Sequence, residues 1–137
     1  SKLISKGDEP LIHDFDILDE ITDIDMTDSV LNLNRVILVV CYDIEKTNIN
    51  GHQSIKKFIS NSMGDSIPVY GLSSSSKDDL NTKLSKIDIE YPYFLVDQTT
   101  LKTIVRSNPG ILVLDKGVVV DKFHWRNVPG QLINTQD

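Results

Sequence analysis

The chain has 137 residues, of which 39% are hydrophobic and 25% are charged. This is the size and composition of one soluble domain with a single hydrophobic core. The formal net charge is −6, and a chain this acidic repels the phosphate backbone of nucleic acids. We therefore expect no nucleic-acid partner.

The acidic residues are concentrated near the start of the chain. Residues 7–34 include nine acidic residues and no Lys or Arg. The longest unbroken apolar run, residues 36–42, has seven residues, whereas a membrane-spanning helix needs about 20. The sequence therefore predicts no membrane span, and it shows no signal peptide at its start. A first residue other than Met is compatible with a complete domain and with a fragment of a larger membrane protein.

The N-terminal part predicts a polar lead-in followed by a hairpin. We assign residues 1–11 to the lead-in, 12–130 to the folded domain and 131–137 to a polar tail. Residues 12–18 alternate between apolar and acidic side chains, which is typical of a half-exposed strand. Residues 20–26 alternate more weakly, so the two segments together predict an antiparallel pair.

The middle of the chain alternates between strand and helix patterns. Residues 36–42 are apolar at every position and rich in β-branched side chains, which predicts a strand buried on both faces. Apolar residues then recur at three- and four-residue spacing over 52–63, which predicts an amphipathic helix. A second strand is expected over residues 67–72.

A second helix is predicted after the serine run at residues 73–76. Asp78 and Asp79 supply the first-turn acidic residues, and three apolar residues lie on one face of the helix: Leu80, Leu84 and Ile87. Residues 93–96 then form a brief apolar segment. A short third helix is expected around Leu101, Ile104 and Val105, and it should stop before Pro109.

The C-terminal part predicts a hairpin. Residues 111–114 and 118–123 read as strands joined by a tight turn in which Gly117 supplies a positive φ. Strand, helix, strand, helix and hairpin in this order predict an α/β domain with a mixed sheet.

This C-terminal block, from Ser107-Asn108-Pro109-Gly110 through the strand to Lys116-Gly117, resembles the C-terminal half of thioredoxin-like proteins. The N-terminal alternation and residues 91–97 are similar to the TlpA-like and peroxiredoxin-like branch. The resemblance covers residues 12–126. It implies a three-layer fold with a mixed central sheet, flanking helices and an N-terminal strand extension. It also implies a cis peptide bond before Pro109.

A second resemblance concerns residues 103–129, which are similar to the soluble C-terminal domain of some bacterial DoxX-family membrane proteins. It implies a place in the bacterial cell envelope, as the soluble part of a membrane protein. Contact with the membrane would then be made only by segments outside this chain.

The sequence departs from the thioredoxin pattern at the redox site. Thioredoxins carry CxxC directly after the central strand, where this chain has Lys46-Thr47-Asn48-Ile49 or neighbouring residues, and residues 43–63 contain no cysteine. Thiol–disulfide exchange needs an attacking and a resolving thiol. We therefore predict a redox-inactive domain with a protein-interaction or structural role, with no catalytic residue, cofactor or metal.

The only cysteine, Cys41, lies inside the predicted buried strand, and we expect it to be an inert core residue. Two alternatives stay open. One is a thiol-dependent enzyme, such as a one-cysteine peroxidase or reductase that uses Cys41. The other is a small-molecule-sensing domain with a pocket in place of the redox site.

Trp125 is the strongest candidate for a functional residue. Counting from Gly117 puts it where thioredoxins have a small residue beside the cis-proline loop. Either the indole caps the face emptied by the loss of CxxC, or it helps to form a surface that recognises a protein or an extended peptide. The candidate binding residues are Lys46, Asn48, Asn108, Pro109, His124, Trp125 and Arg126.

Two further sequence patterns are not expected to mark a catalytic or a metal-binding site. Asp23, Asp25 and Thr27 match the DxDxT motif of aspartyl phosphotransferases, but no apolar strand precedes them, so we interpret the match as chance. The three histidines lack the spacing of metal ligands. His52 is expected to be a solvated loop residue near the start of the first predicted helix.

Overall fold

The computed structural model describes residues 9–10, 16–62 and 67–128. In chain order the strands are β1 (Glu9–Pro10), β2 (Leu18–Asp19), β3 (Ile24–Asp25), β4 (Val36–Cys41), β5 (Val69–Ser73), β6 (Tyr93–Leu95), β7 (Gly110–Asp115) and β8 (Val118–His124). The helices are α1 (Thr27–Leu31), α2 (Ile49–Ser62), α3 (Lys77–Lys83) and α4 (Gln98–Ile104), and a 3-10 turn follows at Trp125–Asn127.

The strands form one mixed sheet in the order β1-β8-β7-β4-β5-β6-β2-β3. The central strand β4 runs parallel to β5 and antiparallel to β7. At one edge β1 pairs with β8, and at the other the β2–β3 hairpin extends the sheet from β6. The predicted mixed sheet with an N-terminal strand extension is therefore confirmed.

Strand β4 organises a three-layer core because all six of its side chains are buried. Leu38 packs on one face of the sheet in a cluster that includes Leu101 of α4. Val39 packs on the opposite face with Ile55 and Phe58 of α2. Alternate residues of a strand point to opposite faces, so an all-apolar strand needs helices on both sides, as the sequence predicted.

Capping residues explain where the helices begin. The side chain of Asn48 accepts a hydrogen bond from the Gly51 N–H, so α2 begins at Ile49, three residues before the predicted start. Ser76 accepts a bond from the Asp79 N–H at the start of α3, as predicted. Ile87 lies beyond the end of α3 but is still buried.

Two short elements were not predicted. Helix α1 has five residues and only one of them, Val30, is buried, so it is too short to show a helical period. Strand β1 has two residues. The predicted N-terminal hairpin is present with shorter strands. Some residues of the predicted elements lie outside the described ranges, namely residues 11–15, Met63 and residues 129–137. Within those ranges, no helix has the length and apolar character needed to cross a bilayer.

The DxDxT match forms a local turn. The Asp25 carboxylate accepts hydrogen bonds from the hydroxyl and the backbone N–H of Thr27, at 2.6 and 2.9 Å. These bonds lower the pKa of the Asp25 carboxyl. The Thr27 hydroxyl oxygen in turn accepts a bond from the Ile17 N–H at 2.8 Å, so these residues anchor the hairpin to the start of α1.

Candidate functional site

The candidate site lies where the loop after β4, the start of α2 and the loop before β7 meet. The Asn48 N–H donates to the Asn108 carbonyl at 2.9 Å, and the Asn108 side-chain amide donates to the Asp43 carbonyl at 2.6 Å. The peptide bond between Asn108 and Pro109 is cis. These bonds join two segments that are far apart in the chain and fix the position of Pro109 beside α2.

The indole of Trp125 covers the start of α2. A Cβ atom added to Gly51 would lie 2.7 Å from Cγ of Trp125, closer than such contacts allow, and 3.0 Å from Cδ of Pro109, which is a tight contact. Trp125 is half-buried and packs against the apolar cluster on the α2 side of the sheet. We call Asn48, Gly51, Asn108, Pro109 and Trp125 the capped face.

The two neighbours of Trp125 hold the outer side of its ring. The Arg126 guanidinium lies 5.1 Å from the centre of the indole, and the His124 ring lies 5.6 Å from it. The Arg126 N–H donates to Nδ1 of His124 at 3.1 Å. Such a cation–π contact at an exposed position contributes about 0.5–1 kcal/mol, so Arg126 favours the capped position of the indole.

The seven candidate binding residues lie on the segments that meet at this site, but the side chains of Lys46 and Asn48 do not contribute a recognition surface in the same way as the others. Lys46 is exposed in a turn where its N–H donates to the Asp43 carbonyl at 3.2 Å. Its side chain makes no hydrogen bond or ion pair with any described residue. Asn48 has a structural role as the cap of α2.

Cys41 is fully buried, as expected. Burial raises the pKa of its thiol to about 11. At neutral pH only about one molecule in ten thousand then carries the thiolate, which is the nucleophilic form. Cys41 is therefore a buried and protonated thiol within the core.

The expectation that His52 is solvated is wrong. The ring is completely buried, its Nε2 lies 2.9 Å from the Thr47 hydroxyl, and its Nδ1 has no partner among the described residues. Burial lowers the pKa of His52 to about 4. Because α2 begins at Ile49, residue 52 lies one turn before Ile55 on the apolar side of the helix, a spacing that the sequence already contains.

Two further features were not predicted from the sequence. Gly51 is the residue that admits the indole, and its only signal is that glycine is unfavourable in a helix. Tyr91 and Tyr93 place buried hydroxyls near Cys41, without a hydrogen-bond partner among the described residues. Burial raises the pKa of both phenols. Across the described ranges, no group of three or more His, Cys, Asp or Glu side chains could hold a metal ion.

Neither a protein-family model nor a curated protein matches the sequence, but solved structures do. The thioredoxin domain of a thiol-disulfide oxidoreductase from Bacteroides vulgatus is 14% identical with a TM-score of 0.57, over 88% of this chain and 89% of that one. The exposed lipoprotein thioredoxin of Streptococcus pneumoniae is 18% identical with a TM-score of 0.57, over 80% and 88% of the two chains. A cysteine-to-serine variant of PrxQ from Xylella fastidiosa is 12% identical with a TM-score of 0.56, over 94% and 91%. The chain therefore has a thioredoxin-like fold, and fold alone does not assign an activity.

Proposed function

We propose that this chain is a redox-inactive thioredoxin-like domain with a protein-interaction or structural role. One observation carries the proposal: the start of α2 has no cysteine and is covered by Trp125, which lies on Gly51 beside Pro109. Thiol–disulfide exchange needs two accessible thiols, and the only thiol of this chain is buried.

The capped face also bears on how a partner would bind. The Asn108 carbonyl already accepts a hydrogen bond from Asn48, and the indole occupies the space above Gly51. An extended peptide that adds to a protein through backbone hydrogen bonds needs such groups to be free. The proposed partner is still a protein or an extended peptide, and we expect it to bind at another surface.

The competing hypothesis is a thiol-dependent enzyme that uses Cys41, and it predicts a reactive thiol. We expect the native protein to react with a thiol reagent at least about a thousandfold more slowly than the urea-unfolded protein, because the thiol is buried and protonated. The rates are measured with a chromogenic disulfide at pH 7, with Cys41→Ser as the blank. A native rate within tenfold of the unfolded rate would contradict the proposal.

Turnover is measured in the same preparation. We expect no acceleration of insulin reduction by dithiothreitol and no consumption of hydrogen peroxide above the level of the Cys41→Ser variant. Because that variant differs by one buried atom, any activity that it loses would belong to Cys41. Such an activity would replace our proposal with the enzymatic hypothesis.

We also propose that the domain belongs to the bacterial cell envelope as the soluble part of a membrane protein. The support is the resemblance of residues 103–129 to the domain of DoxX-family proteins. An antibody raised against this chain should detect the native gene product in the membrane pellet after a carbonate wash. Detection in the soluble fraction alone would contradict this localisation.

A further inference from the structure

One end of the sheet carries an exposed acidic hairpin. We call residues 18–25, which comprise β2, β3 and the turn between them, the acidic hairpin. Four of its eight residues are acidic and none is basic. It also carries two large exposed apolar side chains, Ile21 at 76% and Ile24 at 55% exposure. Strand β3 is the outermost strand among the described residues.

Hydrogen bonds hold the acidic hairpin in this exposed conformation. The Asp19 carboxylate accepts a bond from the Ile21 N–H at 3.0 Å, and the Glu20 carboxylate accepts one from the Lys77 N–H at 3.1 Å. These bonds fix the backbone of the turn, on which Ile21 and Ile24 are exposed. Burying an isoleucine is worth about 1.5–3 kcal/mol, so a partner that covers these side chains gains binding free energy.

The other end of the domain has a groove with the opposite charge. It lies between the segment after α4 and the end of β8 and has a volume of about 310 Å³. We call it the basic groove; it is lined in part by Ile104, Val105, Arg106, Lys122, Phe123 and His124. Within the part of the chain that the structure describes, no acidic side chain lines the groove, although the chain has a net charge of −6. Arg106 and Lys122 form no ion pair with any described residue.

We propose that the acidic hairpin of one copy of this chain docks into the basic groove of a second copy. The groove has the volume of about ten water molecules, which is room for a branched aliphatic side chain and a neighbouring carboxylate. Ile21 would enter the groove, where Ile104 and Val105 lie almost completely buried at its base, while the acidic residues beside it would face Arg106 and Lys122. This contact deepens the proposed interaction role by naming the partner.

The geometry of this contact fixes the kind of assembly. The two surfaces are different, so the contact is head-to-tail and leads to open chains or rings rather than a closed dimer. The surface is small and polar, which is typical of weak and transient contacts. Exposed charges are screened by salt, so the association should weaken as ionic strength rises.

The first test is the solution mass of the wild-type protein as a function of concentration, measured by sedimentation velocity. At about 0.05 M NaCl the mean mass should rise with concentration above the 15.4 kDa monomer. At about 1 M NaCl, where the Debye length is about 3 Å, it should return towards the monomer. A monomer under all conditions would overturn the proposal.

The second test uses two variants that each block one surface. Lys122→Glu blocks the basic groove, and the double variant Ile21→Lys/Ile24→Lys blocks the acidic hairpin. Each should be monomeric alone, whereas an equimolar mixture should form a one-to-one complex and nothing larger, because it contains one intact surface of each kind. Lys86→Glu makes the same charge change at another exposed position and should assemble like the wild type.

Other outcomes would also overturn the proposal. Assembly that both blocking variants retain would place the contact elsewhere on the domain. A monomer whose basic groove binds inorganic phosphate and not a synthetic peptide of residues 18–25 would give the groove a different occupant. None of these results changes the Cys41 labelling rate, so a failure of this inference is distinguishable from a failure of the redox-inactive assignment.

Discussion

Gly51→Ala is expected to destabilise the protein by about 1–2 kcal/mol, although alanine is normally the better helix residue. Replacing a helical glycine by alanine gains at most about 1 kcal/mol. Here the new Cβ would lie 2.7 Å from the Trp125 ring and 3.0 Å from Pro109. Overpacking of this kind costs about 1–3 kcal/mol, and we expect it to exceed the propensity gain.

The measurement combines urea unfolding, followed by circular dichroism in every variant, with the fluorescence of the variants that keep Trp125. Trp125 is the only tryptophan, so its emission reports on the capped face alone, and a displaced indole should emit at longer wavelength. The matched background is Trp125→Ala, in which the same change at Gly51 should be neutral or stabilising. The expected coupling between the two positions is about 1–3 kcal/mol. A Gly51→Ala variant that is stabilised in both backgrounds would show that the indole does not rest on α2.

Local patterns account for the parts of the fold that the sequence predicted. Strand β4 is apolar at every position, and the turn at Gly117 has a φ of 84°, so both are recognisable from a few neighbouring residues. Helix α1 buries only Val30, and its formation depends on contacts made elsewhere in the chain. Short elements of this kind have no period for a sequence pattern to show.

The sequence indicated where the candidate site lies but not which conformation its tryptophan adopts. The spacing from Gly117 placed Trp125 beside the Asn108-Pro109 loop. Whether the indole caps that face or projects from it depends on the residue beneath it, and only the fold shows that this residue is Gly51. The burial of His52 was missed for a related reason, because it depends on a helix start that the Asn48 cap moves by three residues.

The buried histidine is expected to make the protein acid-sensitive below pH 6.5. In the unfolded chain His52 takes up a proton near its ordinary pKa of 6.5, whereas in the folded protein its pKa is about 4. Between these values the unfolded state binds more protons, so the free energy of unfolding falls as pH falls. The neutral His52 side chain therefore accounts for roughly 3 kcal/mol of the free energy of unfolding. This contribution is present above pH 6.5 and is lost by about pH 4.

His52→Gln isolates this contribution, because the amide can keep a hydrogen bond to the Thr47 hydroxyl but does not titrate. The free energy of unfolding is measured by urea titration at intervals from pH 7.5 to pH 4 for the wild type and for His52→Gln. Carboxylate titrations are common to both proteins and cancel in the difference, so the variant should lose less stability on acidification. If His52→Gln and the wild type lose the same stability over this range, the imidazole is already hydrated in the folded protein. The first turn of α2, where Trp125 covers Gly51, would then not pack closely against the sheet.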